Sequence, residues 1–329
     1  MNFSYFCDMI FRTELKIQPF AHRIGYRDSI LAIGSCFSQH IAARLESSKF
    51  KIVCNPTGTL FNPCSIVQSL TDCRQATPIN IKDLHRGNEL WFHYDFHGDF
   101  ARPTQSEALH AMNQARQQGQ AALRNARFLL ITFGTAWVYE HEGRVVANCH
   151  KRPASEFTRR RLSVAEIVSS FAPLIEQELK DQIVIFTVSP IRHIGDGLEE
   201  NTLSKATLRL AIEELDTQFQ NVHYFPSFEL LMDDLRDYRF YKEDLVHPSE
   251  QAIDYVWEKF IDAVLSKEAQ QLLPQVEKIV QIAQHRPRNP RSEAHRQLLS
   301  KTLNKIEELP EIDFSREIAL FRQSLEINL

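Results

Sequence analysis

The feature that most restricts the fold of this chain is an alternation of short apolar runs with helix-spaced stretches. Runs rich in β-branched and aromatic residues occur at Ser29 to Ile33, Lys51 to Cys54, Arg127 to Phe133, Gln182 to Val188 and Val222 to Phe225, each with the length and composition of a strand. Between them lie segments with helical spacing: Phe37 to Leu45, Pro63 to Leu70, Gln105 to Asn125, Ser163 to Leu179 and Asn201 to Phe219. Strands separated by helices pair in parallel, with the helices laid over both faces. The alternation therefore predicts an α/β fold with a doubly wound parallel sheet of about five strands.

Two stretches break the rhythm. The segment from Lys82 to Pro103 carries Trp91, Phe92, His93, Tyr94, Phe96, His97 and Phe100 and reads as an insertion. It is either a β-rich flap with its own small core or an aromatic wall over a pocket beyond the carboxyl ends of the strands. After Pro248, Ala252, Ile253, Val256, Trp257, Phe260, Ile261 and Val264 fall at helical spacing, which closes a domain of residues 20–266. From Lys267 to the C-terminus the composition turns Gln-, Arg- and Glu-rich, with a break at Arg286 to Arg291. Residues 267–329 are expected to be a helical tail that packs on the domain or joins two subunits in a homo-oligomer.

With 43% hydrophobic residues, the 329-residue chain can bury a large core. A net charge of −4 gives no global reason to bind nucleic acid or an anionic membrane. The start, Met1 to Asp8, has no basic region and no developed apolar run, so it does not read as a signal peptide. No run of apolar residues reaches the length of a spanning helix. Cys7, Cys36, Cys54, Cys64, Cys73 and Cys149 are scattered without a Cys-x-x-Cys pair, which fits a reducing cytoplasm better than a disulfide framework.

The candidate chemistry starts at the end of the first strand. Ile30 to Ile33 run into Gly34-Ser35 and then into a helical pattern through Phe37, Ile41 and Leu45. Ser35 thus sits at a strand-to-helix turn, where its hydroxyl can project from the sheet edge and helix N-terminal N–H groups can face a developing oxyanion. Serine is also a favoured helix cap, and the turn alone does not separate the two readings. Gly34, Gly58 and Gly134 each follow a predicted strand, so these turns converge on one sheet edge. Asn55, with Gly58, lies in a loop able to bring an amide or an N–H to that edge.

Near the end of the domain stands Asp244-Leu245-Val246-His247-Pro248. A three-residue separation lets the Asp244 carboxylate accept from Nδ1 of His247, leaving Nε2 free to take a serine proton. The residues then match a family. Gly34-Ser35-Cys36-Phe37-Ser38 resembles the name-giving motif of GSCFA-domain proteins, placed among the SGNH/GDSL hydrolases, with Ser38 where the name has alanine. Asn55-Pro56-Thr57-Gly58, Phe133 to Tyr139, Ala147 to Lys151, Val188 to His193 and Asp244 to Pro248 look like further blocks of the same family.

The resemblance implies a flavodoxin-like three-layer sandwich of SGNH-hydrolase type, with Ser35 as nucleophile, Asp244 and His247 as its partners, and Gly58 as an oxyanion donor. Where that superfamily has Gly-x-x-Asn, this chain has Gly134-Thr135-Ala136-Trp137, and an indole cannot replace an amide in all its hydrogen bonds. The third donor therefore falls to Asn55, Asn148 or His193. The expected activity is hydrolysis of a small acyl, acetyl-like ester, its alcohol a carbohydrate by resemblance, without cofactor or metal. An O-acyltransferase using the same residues and a non-catalytic binding protein are the alternatives. Competing constellations are a nucleophilic Cys36, a metal cluster of His93, Asp95, His97 and Asp99, and an anion-binding basic run of Lys151, Arg152 and Arg159 to Arg161, joined by Arg192. Adjacent side chains point differently, which disfavours Cys36; the spacing of the His and Asp residues does not suit a metal; and the basic run reads first as a solvated face.

Overall fold

A computed structural model of the chain describes residues 12–326; Cys7 and the N-terminal stretch discussed above lie outside the described residues. In chain order, β1 (Ser29–Gly34) turns into α1 (Cys36–Ser47), followed by β2 (Lys51–Cys54) and α2 (Pro63–Gln75). The hairpin β3 (His85–Gly87) and β4 (Leu90–Phe92) precedes α3 (Gln105–Asn125) and β5 (Phe128–Phe133). Next come β6 (Trp137–His141), β7 (Arg144–Val146) and β8 (Thr158–Arg161). The alternation resumes with α4 (Val164–Gln177), β9 (Ile183–Val188), α5 (Leu198–Gln218) and β10 (Val222–Tyr224). A single turn, α6 (Ser227–Glu229), runs into a π-helical segment at Leu230–Leu235, and α7 (Glu250–Val264), α8 (Lys267–Gln284), α9 (Glu293–Glu307) and α10 (Ser315–Glu326) complete the chain.

The five expected strands form one parallel sheet in the order β10-β9-β5-β1-β2. Strand order reverses between β1 and β5, the point where open α/β sheets leave a crevice at the carboxyl edge. Successive strand residues face opposite ways, and the two cores divide accordingly. Ile30 and Ala32 of β1, with Phe128 and Leu130 of β5, pack under α1 and α7. Leu31 and Ile33, with Leu129 and Ile131, pack under α2 to α5. The result is the three-layer sandwich implied by the alternation.

The segment from Lys82 to Pro103 is built on the β3–β4 hairpin and has small cores of its own, around Phe96 with Met112 and around Phe92 with Tyr94 and Val146. The antiparallel sheet β7-β6-β8 has no counterpart in the sequence expectations. Its third strand is Thr158-Arg159-Arg160-Arg161, two of whose residues are exposed and two half-buried, so it lacks the apolar alternation by which a strand is recognised. What read as a solvated basic run is a strand paired with Trp137 to Glu140.

The C-terminal helices pack on the domain. Leu273, Val276 and Ile279 of α8, Leu299 and Ile306 of α9, and Phe321 of α10 belong to the same buried cluster as Ile30, Phe128 and Trp257. Glu317 of α10 meets Lys49 at 2.7 Å, both side chains largely buried. The tail is thus a continuation of one face of the sandwich. Phe321→Ala is expected to destabilise the whole chain by about 3–5 kcal/mol, the cost of an emptied aromatic core site. The measure is urea unfolding followed by circular dichroism; a loss below about 0.5 kcal/mol, typical of surface positions, would contradict an integral tail.

Candidate functional site

Gly34 ends β1 at φ +138°, and a Cβ placed there would lie 2.1 Å from the Thr132 carbonyl oxygen of β5. Only glycine lets the two strands come this close. The Ser35 N–H then donates to that same carbonyl at 3.1 Å, and the chain enters α1 with Ser35 at the N-cap position. Its side chain does not cap. The hydroxyl makes no capping bond, and although the residue is only 2% exposed, Oγ has no hydrogen-bond partner among the described residues. Ser38 instead donates its N–H and its hydroxyl to the Ser35 carbonyl, at 2.9 and 2.8 Å. A buried hydroxyl left unpaired costs about 1–3 kcal/mol, so the helix-cap alternative does not describe this serine.

The loop after β2 clasps the turn. Asn55 adopts a left-handed conformation, φ 45°. Its Oδ1 accepts from the Gly34 N–H at 2.8 Å, and its Nδ2 donates to Ser38 Oγ at 3.2 Å. The Gly58 N–H donates to the Asn55 carbonyl at 2.8 Å, and an added Cβ at Gly58 would meet the Cβ of His97 at 2.2 Å. The Gly58 N–H and one hydrogen of Asn55 Nδ2, the donors expected from this loop, are thus engaged in holding the scaffold, while Asn55 Oδ1 satisfies the Gly34 N–H. Gly134, whose N–H donates to the Phe61 carbonyl at 2.8 Å, lies against the Ser35 turn: a Cβ there would come within 3.2 Å of Ser35 Cβ. At the head of α1, directly after Ser35, the N–H groups of Cys36 and Phe37 have no intrahelical acceptor.

Asp244 and His247 form the expected pair, with Nδ1 of His247 2.7 Å from Asp244 Oδ2. Asp244 Oδ1 also accepts the N–H groups of Val246 and His247, each at 2.9 Å. These backbone bonds, then the imidazole, pull the Asp244 carboxyl down to about 2. The tight turn puts Leu245 at φ 56°, a conformation that costs a non-glycine residue about 1 kcal/mol or more. Arg192, just after β9, braces it from below: its N–H donates to the Val246 carbonyl at 3.2 Å and its guanidinium to the Leu245 carbonyl at 3.3 Å. Pro248 stands one residue ahead of the N-cap of α7, which is Ser249. Since Ser35 Oγ has no partner, His247 does not hydrogen-bond it in this structure, as is common before a substrate tightens a site.

Two further groups join the edge between β5 and β9. The His193 ring lies within hydrogen-bonding reach of the Gly134 carbonyl, and burial, then Lys205 and His247, bring its pKa down to about 4. Lys205 of α5 is fully enclosed, with Nζ 2.6 Å from the Gly134 carbonyl and 2.8 Å from that of Ser189. Burial draws its ammonium down to about 7, while the two carbonyl acceptors favour the charged form. The sequence reading missed Lys205. The signal was present: Asn201, Ser204 and Lys205 continue the buried stripe of Leu208, Ala211, Ile212 and Leu215.

Beside Gly134 and Phe61 opens a cleft of about 420 Å³, lined by Trp137, Tyr139, Asn148, Arg159 and His193 among others. It gathers three residues singled out from sequence: Trp137, Asn148 and His193. The Arg159 guanidinium lies 4.0 Å over the Trp137 ring. Asn148 Oδ1 accepts from the His150 N–H at 2.7 Å, which fixes the amide at the cleft wall. Of the competing constellations, burial raises the Cys36 thiol above its usual range, against a ready thiolate. Nδ1 of His93 and of His97 accepts from the N–H of Asp95 and Asp99 respectively, so those residues are built into local turns. Arg152 pairs with Glu156, and Arg160 with Glu140 and Glu166.

Among the described residues no helix is long and apolar enough to cross a membrane. No curated protein matches the chain. The model of the GSCFA domain protein C-terminal domain matches residues 276–327, the helices that complete the core. Because the GSCFA family model matches residues 29–260, from the first strand of the sheet into the helix after His247, the chain belongs to the GSCFA family.

Proposed function

We propose that the chain is a serine-dependent ester hydrolase of SGNH type, acting on a small acyl ester of a carbohydrate alcohol. The observation that carries this reading is the Asp244–His247 pair at 2.7 Å, on the same sheet edge as a buried serine hydroxyl that nothing else uses. His247 Nε2 takes the proton of Ser35 Oγ as the oxygen attacks the acyl carbonyl. The oxyanion is met by the N–H groups heading α1, reinforced by the helix N-terminus. His247 returns the proton to the departing alcohol; it then deprotonates the water that attacks acyl-Ser35 and passes that proton to Ser35 Oγ as the acyl–oxygen bond breaks and the acid leaves. Asp244, ionised throughout, holds the tautomer and the resulting imidazolium. If a sugar hydroxyl takes the place of water, the same residues perform O-acyl transfer. Acetate release measured with and without acceptor sugars separates the two.

Labelling by a fluorophosphonate is expected in the wild type, absent in Ser35→Ala, and slowed by about 10³-fold or more in His247→Ala. Labelling that persists in Ser35→Ala, or its absence from folded wild type, would remove the hydrolase reading.

Asp244→Asn keeps the shape of the turn but changes the partner of Nδ1. A fall in kcat of roughly 10³–10⁴-fold is expected. Because the Asp244 carboxyl lies near 2, its ionised form is complete at pH 5 as at pH 8, and a deficit is expected across that whole range. A deficit confined to one side of that range contradicts the role.

A further inference from the structure

The carbonyl of Gly134 is engaged from two sides. Lys205 Nζ donates to it at 2.6 Å, and the His193 imidazole lies within hydrogen-bonding reach of it. The second acceptor of Lys205, the Ser189 carbonyl at 2.8 Å, stands at the end of β9, so the ammonium ties together the carboxyl ends of two neighbouring strands. Burying a lysine without a carboxylate partner is expensive, and the two N–H donors of a neutral side-chain amide would satisfy two carbonyls at lower cost. What the charge adds is its effect on its neighbour. His193 is opposed in taking a proton by burial, by Lys205 and by His247, so it is a neutral imidazole, with one nitrogen a donor and the other an acceptor. The Gly134 carbonyl can only accept, which assigns the N–H to it.

We infer that Lys205 and His193 form the alcohol-recognising part of the Ser35 site. Lys205 fixes the Gly134 carbonyl, that carbonyl takes the His193 N–H, and the second His193 nitrogen accepts a free hydroxyl of the alcohol half of the substrate in the adjoining cleft. His193 is the specificity-determining residue, and Lys205 is a positioning residue that never touches the substrate. An acyl chain and an ester carbonyl offer no proton to such an acceptor, whereas a sugar or polyol does. The cleft fits that occupant: its volume is about 420 Å³, Trp137 and Tyr139 supply aromatic surface, and Asn148 adds a polar amide. The inference rests on the hydrolase reading for the position of the ester. Within that reading it assigns the recognition of the hydroxyls left free on the alcohol to named residues.

The test compares acetylated pyranosides with p-nitrophenyl acetate as substrates for wild type, His193→Phe, His193→Gln, Lys205→Met and Lys205→Arg, each first checked for a cooperative melt. Binding of the deacetylated methyl pyranosides is measured in parallel by calorimetry. In His193→Phe, KM for the sugar esters is expected to rise roughly tenfold, the loss of one hydrogen bond, a larger rise than for p-nitrophenyl acetate, whose alcohol has no free hydroxyl. His193→Gln, whose amide oxygen can accept, is expected to recover part of the loss. In Lys205→Met, removal of the neighbouring charge lets His193 protonate more readily, so the acid limb of methyl pyranoside binding, which needs no proton transfer by His247, moves to higher pH. Lys205→Arg, which keeps the charge, is expected to leave that limb in place. Equal losses on both substrate types in His193→Phe, or an unmoved limb in a folded Lys205→Met, would overturn the inference. Sugar binding that depends on His193 in a protein that no fluorophosphonate labels would sink the hydrolase reading and leave the recognition role standing.

Discussion

The close approach of β1 and β5 at Gly34 and Thr132 is the constraint on which the rest of the site depends. It admits no side chain at position 34, and it delivers the Thr132 carbonyl to the N–H of Ser35 at 3.1 Å. With its main chain held there, Ser35 enters α1 in extended geometry at ψ 172° without using its hydroxyl as a cap. The Asn55 side chain then satisfies the Gly34 N–H and secures Ser38. The cost of the arrangement is concentrated in one unpaired, buried hydroxyl. Strain of this kind persists where the surrounding structure over-determines it and a site makes use of it.

Around that hydroxyl the sheet edge is organised by main-chain carbonyls and the groups that answer them. Lys205 holds the carbonyls of Gly134 and Ser189, His193 lies against the first of these, and Arg192 supports the turn that carries His247. The titratable groups are pushed in different directions for different reasons. Asp244 is held low by hydrogen bonds although it is open to solvent, whereas His193 is held low by burial and neighbouring charge. One imidazole is thereby paired with a carboxylate, as a proton carrier requires, and the other stays neutral, as a hydrogen-bond acceptor requires. Both belong to the same edge as Ser35.

Legibility in the sequence followed the period of the apolar pattern. The strands from Ser29, Arg127 and Gln182 are buried on both faces and those from Lys51 and Val222 close the two edges, yet each is a compact apolar run, and the structure has all of them in one parallel sheet. The Asp244–His247 pairing was legible because its geometry is local, set by three residues of separation. The strand Thr158–Arg161 was not, because an exposed edge carries arginines where a buried strand carries valine or isoleucine. Asn55 and Gly58 read as donors to a substrate; in the fold their groups answer the Gly34 turn and each other, a demand that appears only when β1 and β5 are brought together. Lys205 was hidden by its residue type, since lysine is almost never fully buried, although its place on the apolar stripe of α5 marked it.

The central claim is that Ser35, and not its neighbour, carries the acyl group. The most direct measurement is tandem mass spectrometry of the peptide spanning β1 and α1 after rapid quench of the protein with an excess of an acetyl ester. The acyl-enzyme mechanism predicts one acetyl group on Ser35, accumulating in wild type and absent from His247→Ala under the same quench. An acetyl group on Cys36, or an unmodified peptide while acetate is being released, would contradict it.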